Sequence, residues 1–143
     1  MRTRLLALLV PALLAIPAPA RPADAFRVIV HPSNVATSVS RRELSEIYLK
    51  KVTRWPGGEA VHPVEPPEAS MTRAYFLSAV IGKSAFAVRM FWNRRVFEGR
   101  DVPPVEKRSE EEVVAYVRST RGAVGYVSAE TPVPGVKVVE LRD

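Results

Sequence analysis

The sequence predicts an α/β domain, a small sheet flanked by helices. Two observations carry that reading. Short β-branched runs at 26–30, 61–64, 123–127 and 136–141 are bounded by turn residues and read as strands. Between them lie segments whose apolar residues recur at helical spacing behind a serine able to cap the first turn. Strands alternating with helices argue for a layered α/β domain, and the scarcity of strands keeps the sheet small.

The front end is different in kind. Met1-Arg2-Thr3-Arg4 is basic, and the apolar stretch over 5–16 is shorter than the roughly 20 residues a membrane span takes. Pro17, Pro19 and Pro22 then break any helix, and Ala23-Asp24-Ala25 is a small-x-small site. These features predict a secretory signal peptide over 1–25, cleaved after Ala25, against the alternative of an uncleaved N-terminal anchor. The remaining domain, 26–143, is long enough for one core, and no stable membrane insertion is expected of it after cleavage. Losing Arg2, Arg4, Arg21 and Asp24 lowers the net charge from +6 to +4. Export, and the lack of aromatics interleaved with basic residues, argue against a nucleic-acid partner. A mild positive charge suits an anionic small ligand, or solubility alone. The chain has no cysteine, which excludes disulfides and thiolate metal sites.

Along the domain, residues 26–30 form a buried strand running into the turn residues His31-Pro32-Ser33-Asn34. Ser40-Arg41-Arg42-Glu43 is a capping box with Val39 and Leu44 as its hydrophobic staple, and Leu44, Ile47 and Tyr48 form the buried face of a helix ending near Lys50. Trp55-Pro56-Gly57-Gly58 is an anchored turn in which the ring packs and the glycines bend. The strand at 61–64 contains Pro63, so it belongs at an edge or is very short. Ser70 caps a helix with Phe76, Leu77, Val80 and Ile81 inward, closed by Gly82. Ser84 caps the next, with Ala85, Val88, Phe91 and Trp92 inward, followed by a loop through Pro103-Pro104. Ser109-Glu110-Glu111-Glu112 is a second capping box, opening a helix that buries Val113, Val114 and Val117. The strand at 123–127 has Gly125 at its centre, a point where a backbone or a ligand can approach closely.

Taken in order, Val28-Ile29-Val30-His31-Pro32-Ser33-Asn34, the capped helix over 40–50, Trp55-Pro56-Gly57-Gly58, Arg73-Ala74-Tyr75-Phe76 and Gly122-Ala123-Val124-Gly125-Tyr126-Val127 resemble a known family. They are similar to small secreted relatives of the phosphate-binding periplasmic components of ABC transporters. The resemblance implies one lobe of a type II periplasmic binding fold, an oxyanion such as phosphate as ligand, and a transporter permease or a second protein as partner. It covers nearly all of 26–143 but mainly the second of two lobes, so the first lobe's ligand loop has no counterpart. The family's helix start resembles R-x-D-x-S-G-T. Here Ser70 and Thr72 match, whereas the arginine, aspartate and glycine are replaced and Arg73 follows.

The residues themselves leave alternatives open. Ser70, Met71 and Thr72 start a helix after the Pro66-Pro67 break, where free N–H groups and a positive dipole end suit an anion. Plain capping explains the same serine. Arg73 can pair bidentately with phosphate or be a solvated helix arginine. Ser33 and Asn34 follow a strand's C-terminal end, where α/β sheets bind ligands, and are also ordinary turn formers. On the resemblance, the loops at 33–34 and 70–73 are expected to face each other. His31 and His62 stand apart from any carboxylate cluster, and no G-x-S-x-G or H-E-x-x-H occurs. We expect no metal, no cofactor and no enzyme. An oxyanion-binding module and an envelope accessory protein that keeps the fold without a working pocket both fit the sequence.

Overall fold

Two strands far apart in sequence make the centre of the molecule. The computed structural model describes residues 25–143, so the signal peptide expected over 1–25 lies, but for Ala25, outside the described residues. Strand β1 (Phe26–Val30) pairs antiparallel with β5 (Ala123–Ser128) on one side and β6 (Lys137–Arg142) on the other. Beyond β6, β2 (Ser38–Ser40) adds in parallel, and beyond β5, β3 (His62–Glu65) and β4 (Val105–Glu106) do so too. The result is a mixed six-stranded sheet in the order β2-β6-β1-β5-β3-β4.

Side-chain alternation along the two central strands sends apolar groups to both faces. Phe26, Val28 and Val30 of β1, with Val124 and Tyr126 of β5, join one buried cluster. That cluster also contains residues of α1 (Arg41–Tyr48), α2 (Met71–Phe76) with its π-helical continuation over Leu77–Ile81, and α3 (Ala85–Phe97). Ile29, Ala123 and Val127 point to the opposite face and pack with Val113, Val114 and Val117 of α4 (Glu110–Ser119). Three helices therefore cover one face and one covers the other. Four aromatic rings lock the larger core, with Phe76 stacked on Tyr126 and edge-on to Tyr48 and Phe26.

The serine caps are as the sequence predicts. Ser40, Ser70, Ser84 and Ser109 each accept a hydrogen bond from the N–H three residues on. The second capping box is displaced by one residue, since Glu112 accepts from the N–H of Arg108 rather than of Ser109. Trp55 is buried and donates its ring N–H to the carbonyl of Gly122 at 3.0 Å.

Other expectations are corrected. β2 and β4 were not expected; both are too short to show a period and exist because a longer strand offers a free edge. For β3 the second of the two expected options holds: it is interior but very short, with Pro63 pairing only toward β5 while Val64 and Glu65 carry the pairing to β4. At Gly125 the nearest atoms are valine side chains. A Cβ there would lie 2.9 Å from Val113 and 3.1 Å from Val117 and Val64, so the glycine makes room for α4.

Candidate functional site

The candidate site lies where β3 ends and α2 begins. β3 delivers Glu65 to the sheet's end, Pro66 and Pro67 forbid a continuing strand, and Ser70 caps the new helix. The Ser70 hydroxyl accepts from the N–H of Arg73 at 3.3 Å. Among the described residues, the N–H groups of Met71 and Thr72 have no partner, as expected for the first turn of a helix. Met71 is exposed and Thr72 buried.

Arg73 turns back from α2 over the end of the sheet. One terminal nitrogen lies 2.8 Å from Glu65 and the other 2.8 Å from Glu106, and the latter also donates to the carbonyl of Pro66 at 3.1 Å. The arginine is no solvated helix residue; its side chain is only 11% exposed. Glu65 is the surprise at this point, a carboxylate 4% exposed at the end of an apolar strand. Tyr126 donates its hydroxyl hydrogen to Glu65 at 3.3 Å, while Tyr48 donates to the carbonyls of Val64 and Val124.

Burial pushes the Glu65 carboxyl up from 4.5 to about 7. Arg73 and the Tyr126 hydroxyl oppose that shift, and Glu106 and Glu68 reinforce it. Burial and the neighbouring Glu65 also push the Tyr48 and Tyr126 phenols well up, so both remain neutral donors. A cleft of about 200 Å³ opens beside these groups, lined among others by Glu65, Glu68, Arg73, Arg89, Trp92 and Glu106. Arg89 is itself paired with Glu68 at 2.9 Å.

Ser33 and Asn34 are not brought to this place. Val30 of β1 and Pro63 of β3 both lie level with Val124 of β5, but β1 runs antiparallel to β5 and β3 parallel to it. The loop after β1 is therefore at the sheet end where β3 starts, opposite the end where α2 begins. The expectation that the two loops face each other is wrong for this reason of strand direction. Asn34 instead makes a turn, its side-chain oxygen accepting from Ala36 N–H at 2.9 Å and its carbonyl accepting from Lys137 at 2.8 Å. With Ser33 it lines a separate cleft of about 400 Å³ beside Trp55, Glu59 and Arg121. His31 holds Ser33 across 2.7 Å in that loop, and His62 is exposed at the start of β3.

Sequence reasoning singled out Ser70 to Arg73 and passed over Glu65 and Glu106, which contact Arg73. The available signal was a glutamate closing the short strand read at Val61-His62-Pro63-Val64, an ionisable group where a strand ends. No signal marked Glu106, whose strand is two residues long.

The fold matches solved structures of solute-binding proteins. One, from Clostridium perfringens, is assigned provisionally as a phosphate ABC transporter substrate-binding protein and was solved with bound phosphate. It superposes with a TM-score of 0.65 at 20% identity over 82% of this chain and 45% of its own. Another, an ABC-type phosphate transport receptor from Vibrio cholerae, gives a TM-score of 0.62 at 20% identity over 82% of this chain and 46% of its own. The chain thus spans less than half the length of each, in keeping with a single lobe. Among curated proteins none matches it in sequence. The family model described as PBP superfamily domain matches residues 23–140, and the chain belongs to that family.

Proposed function

We propose that the protein is an exported, non-enzymatic, single-lobe solute-binding module that takes a phosphate-like oxyanion weakly at the start of α2, in connection with ABC-type uptake. The observation that supports it is a conjunction of donors. The unpartnered N–H groups of Met71 and Thr72 lie next in sequence to Arg73, which lines a cleft with Glu65 and Glu106. Ser70, Met71, Thr72 and Arg73 are the ligand residues in this reading. Ser33 and Asn34, at the other sheet end, fall outside the site. In this reading the signal peptide expected over 1–25 directs the domain to the periplasm or outside the cell.

One lobe gives contacts on one side, so water competes for the remaining oxygens of the ligand. Affinity is expected on the order of millimolar, about −4 kcal/mol, rising when a permease or a second protein supplies the missing wall. An NMR titration with inorganic phosphate tests this. The Ser70, Met71 and Thr72 amides should shift saturably, and Ser70→Ala with Thr72→Val should weaken the response. Amides that stay unmoved at tens of millimolar phosphate would overturn the reading.

One observation favours the accessory-protein alternative. On α3, Val88 and Trp92 face the core, yet Phe86, Met90 and Phe97 lie on the opposite side, 63%, 51% and 93% exposed. Such an outward apolar strip suits a protein contact. Cross-linking to an envelope protein, lost on changing all three residues to serine, together with silent α2 amides, would favour that alternative.

A further inference from the structure

Arg73 already has an anion. Its two terminal nitrogens are held by Glu65 and Glu106, and its third nitrogen is buried without a partner among the described residues. An oxyanion needs adjacent N–H groups of the guanidinium for a bidentate contact, and the protein's own carboxylates occupy both ends. One cation faces two carboxylates, so the cluster carries one net negative charge with both ionised. A further anion there is disfavoured unless one carboxylate leaves or loses its charge. Glu106 is half exposed and can swing into water, whereas Glu65 is enclosed and cannot leave.

We propose that Glu65 determines which conditions admit the anion: the ligand takes the Arg73 nitrogen that Glu65 now holds, and Glu65 takes up one proton as it lets go. This rests on the oxyanion reading above. The balance is complete without any further reactant. The proton comes from solvent onto a Glu65 oxygen, one negative charge of the ligand is offset, and no covalent bond between heavy atoms changes. Tyr126 goes on donating to the other carboxyl oxygen, and the new O–H becomes a donor for the ligand.

The groups around Glu65 act in opposite directions, and the balance turns on Arg73. Among the described residues Arg73 from α2 is the cation facing it, and the Tyr126 hydroxyl from β5 is a hydrogen-bond donor that also favours the charged form. Glu106 from β4 and Glu68 from the β3–α2 loop disfavour that form. Tyr48 from α1 is neutral, its own ionisation pushed well up by burial. Once a ligand engages Arg73, the main influence holding Glu65 ionised is weakened. Burial already brings this carboxyl to about 7, so the proton is available near neutral pH.

Sulfate is the better probe, because its charge is constant across neutral pH whereas that of phosphate changes. Calorimetric titration of the purified protein with sulfate should show affinity falling about tenfold per pH unit above the Glu65 midpoint, as uptake of one proton requires. Paired buffers of different ionisation heat should report that proton directly. Glu65→Gln keeps the shape and a donor; it should bind at high pH as the wild type does at low pH, with no slope. Glu106→Gln should bind more tightly while keeping the slope, and it reports on the idea even where Glu65→Gln fails to fold. Wild-type binding that is flat with pH, or a slope that survives Glu65→Gln, overturns the proposal and leaves the oxyanion reading standing. Absence of sulfate and phosphate binding in every variant at every pH overturns both.

Discussion

Tyr126 and Phe76 lie ring on ring, their centroids 3.7 Å apart and their planes within 2°. The stack fixes the phenol so that its hydroxyl meets Glu65, which ties the aromatic core on the three-helix face to the candidate site. Tyr126→Phe keeps the stack and removes the donor from a buried carboxylate. A loss of about 1–3 kcal/mol is expected in urea denaturation above neutral pH. Phe76→Ala removes the ring itself and should cost about 3–5 kcal/mol at any pH. An unchanged stability of Tyr126→Phe above neutral pH would show that the hydroxyl does not matter to Glu65.

Stability should depend on pH with an unusual sign for a carboxyl group. Glu65 holds its proton more tightly folded, at about 7, than at its ordinary 4.5. Its contribution is therefore fully present below the ordinary value and is lost as pH rises through the folded one. The shift corresponds to about 3 kcal/mol between those limits. Denaturation midpoints measured across that window should fall with rising pH in the wild type and flatten in Glu65→Gln. In Tyr126→Phe the fall should centre at higher pH, because the lost hydrogen bond favoured the charged carboxylate.

Gly125→Ala tests the packing of α4. The added methyl would meet Val113 at 2.9 Å, with Val117 and Val64 each at 3.1 Å, all in the smaller cluster. Overpacking of that kind costs about 1–3 kcal/mol. A change under about 0.5 kcal/mol in chemical denaturation would mean that α4 gives way without cost.

Local signals made most of the helical layer legible. Serine caps and the inward residues of α1 and α4 could be read because both depend on neighbours within a few positions. What escaped depends on distant partners. β2 is a strand because Glu140, Leu141 and Arg142 line up beside Ser38, Val39 and Ser40, and nothing in three residues announces that. The Glu65–Arg73–Glu106 cluster draws on a strand end, a helix and a two-residue strand. The resemblance to the phosphate-binding proteins' helix start drew attention to Arg73, but it could not show that carboxylates already hold it. The loop at Ser33–Asn34 failed for a third reason, since strand direction cannot be read from strand composition.

The pairing of β1 with β5 sets the order in which the molecule can assemble. Phe26 meets Ser128, and β1's other neighbour, β6, comes later still. The first strand of the domain thus has no sheet partner until the residues of β5 have been made. Contacts of such long sequence separation slow folding, because the connecting loop must close before they form. For the exported chain proposed above, that delay keeps the polypeptide threadable through a translocation channel, with folding completed on the far side.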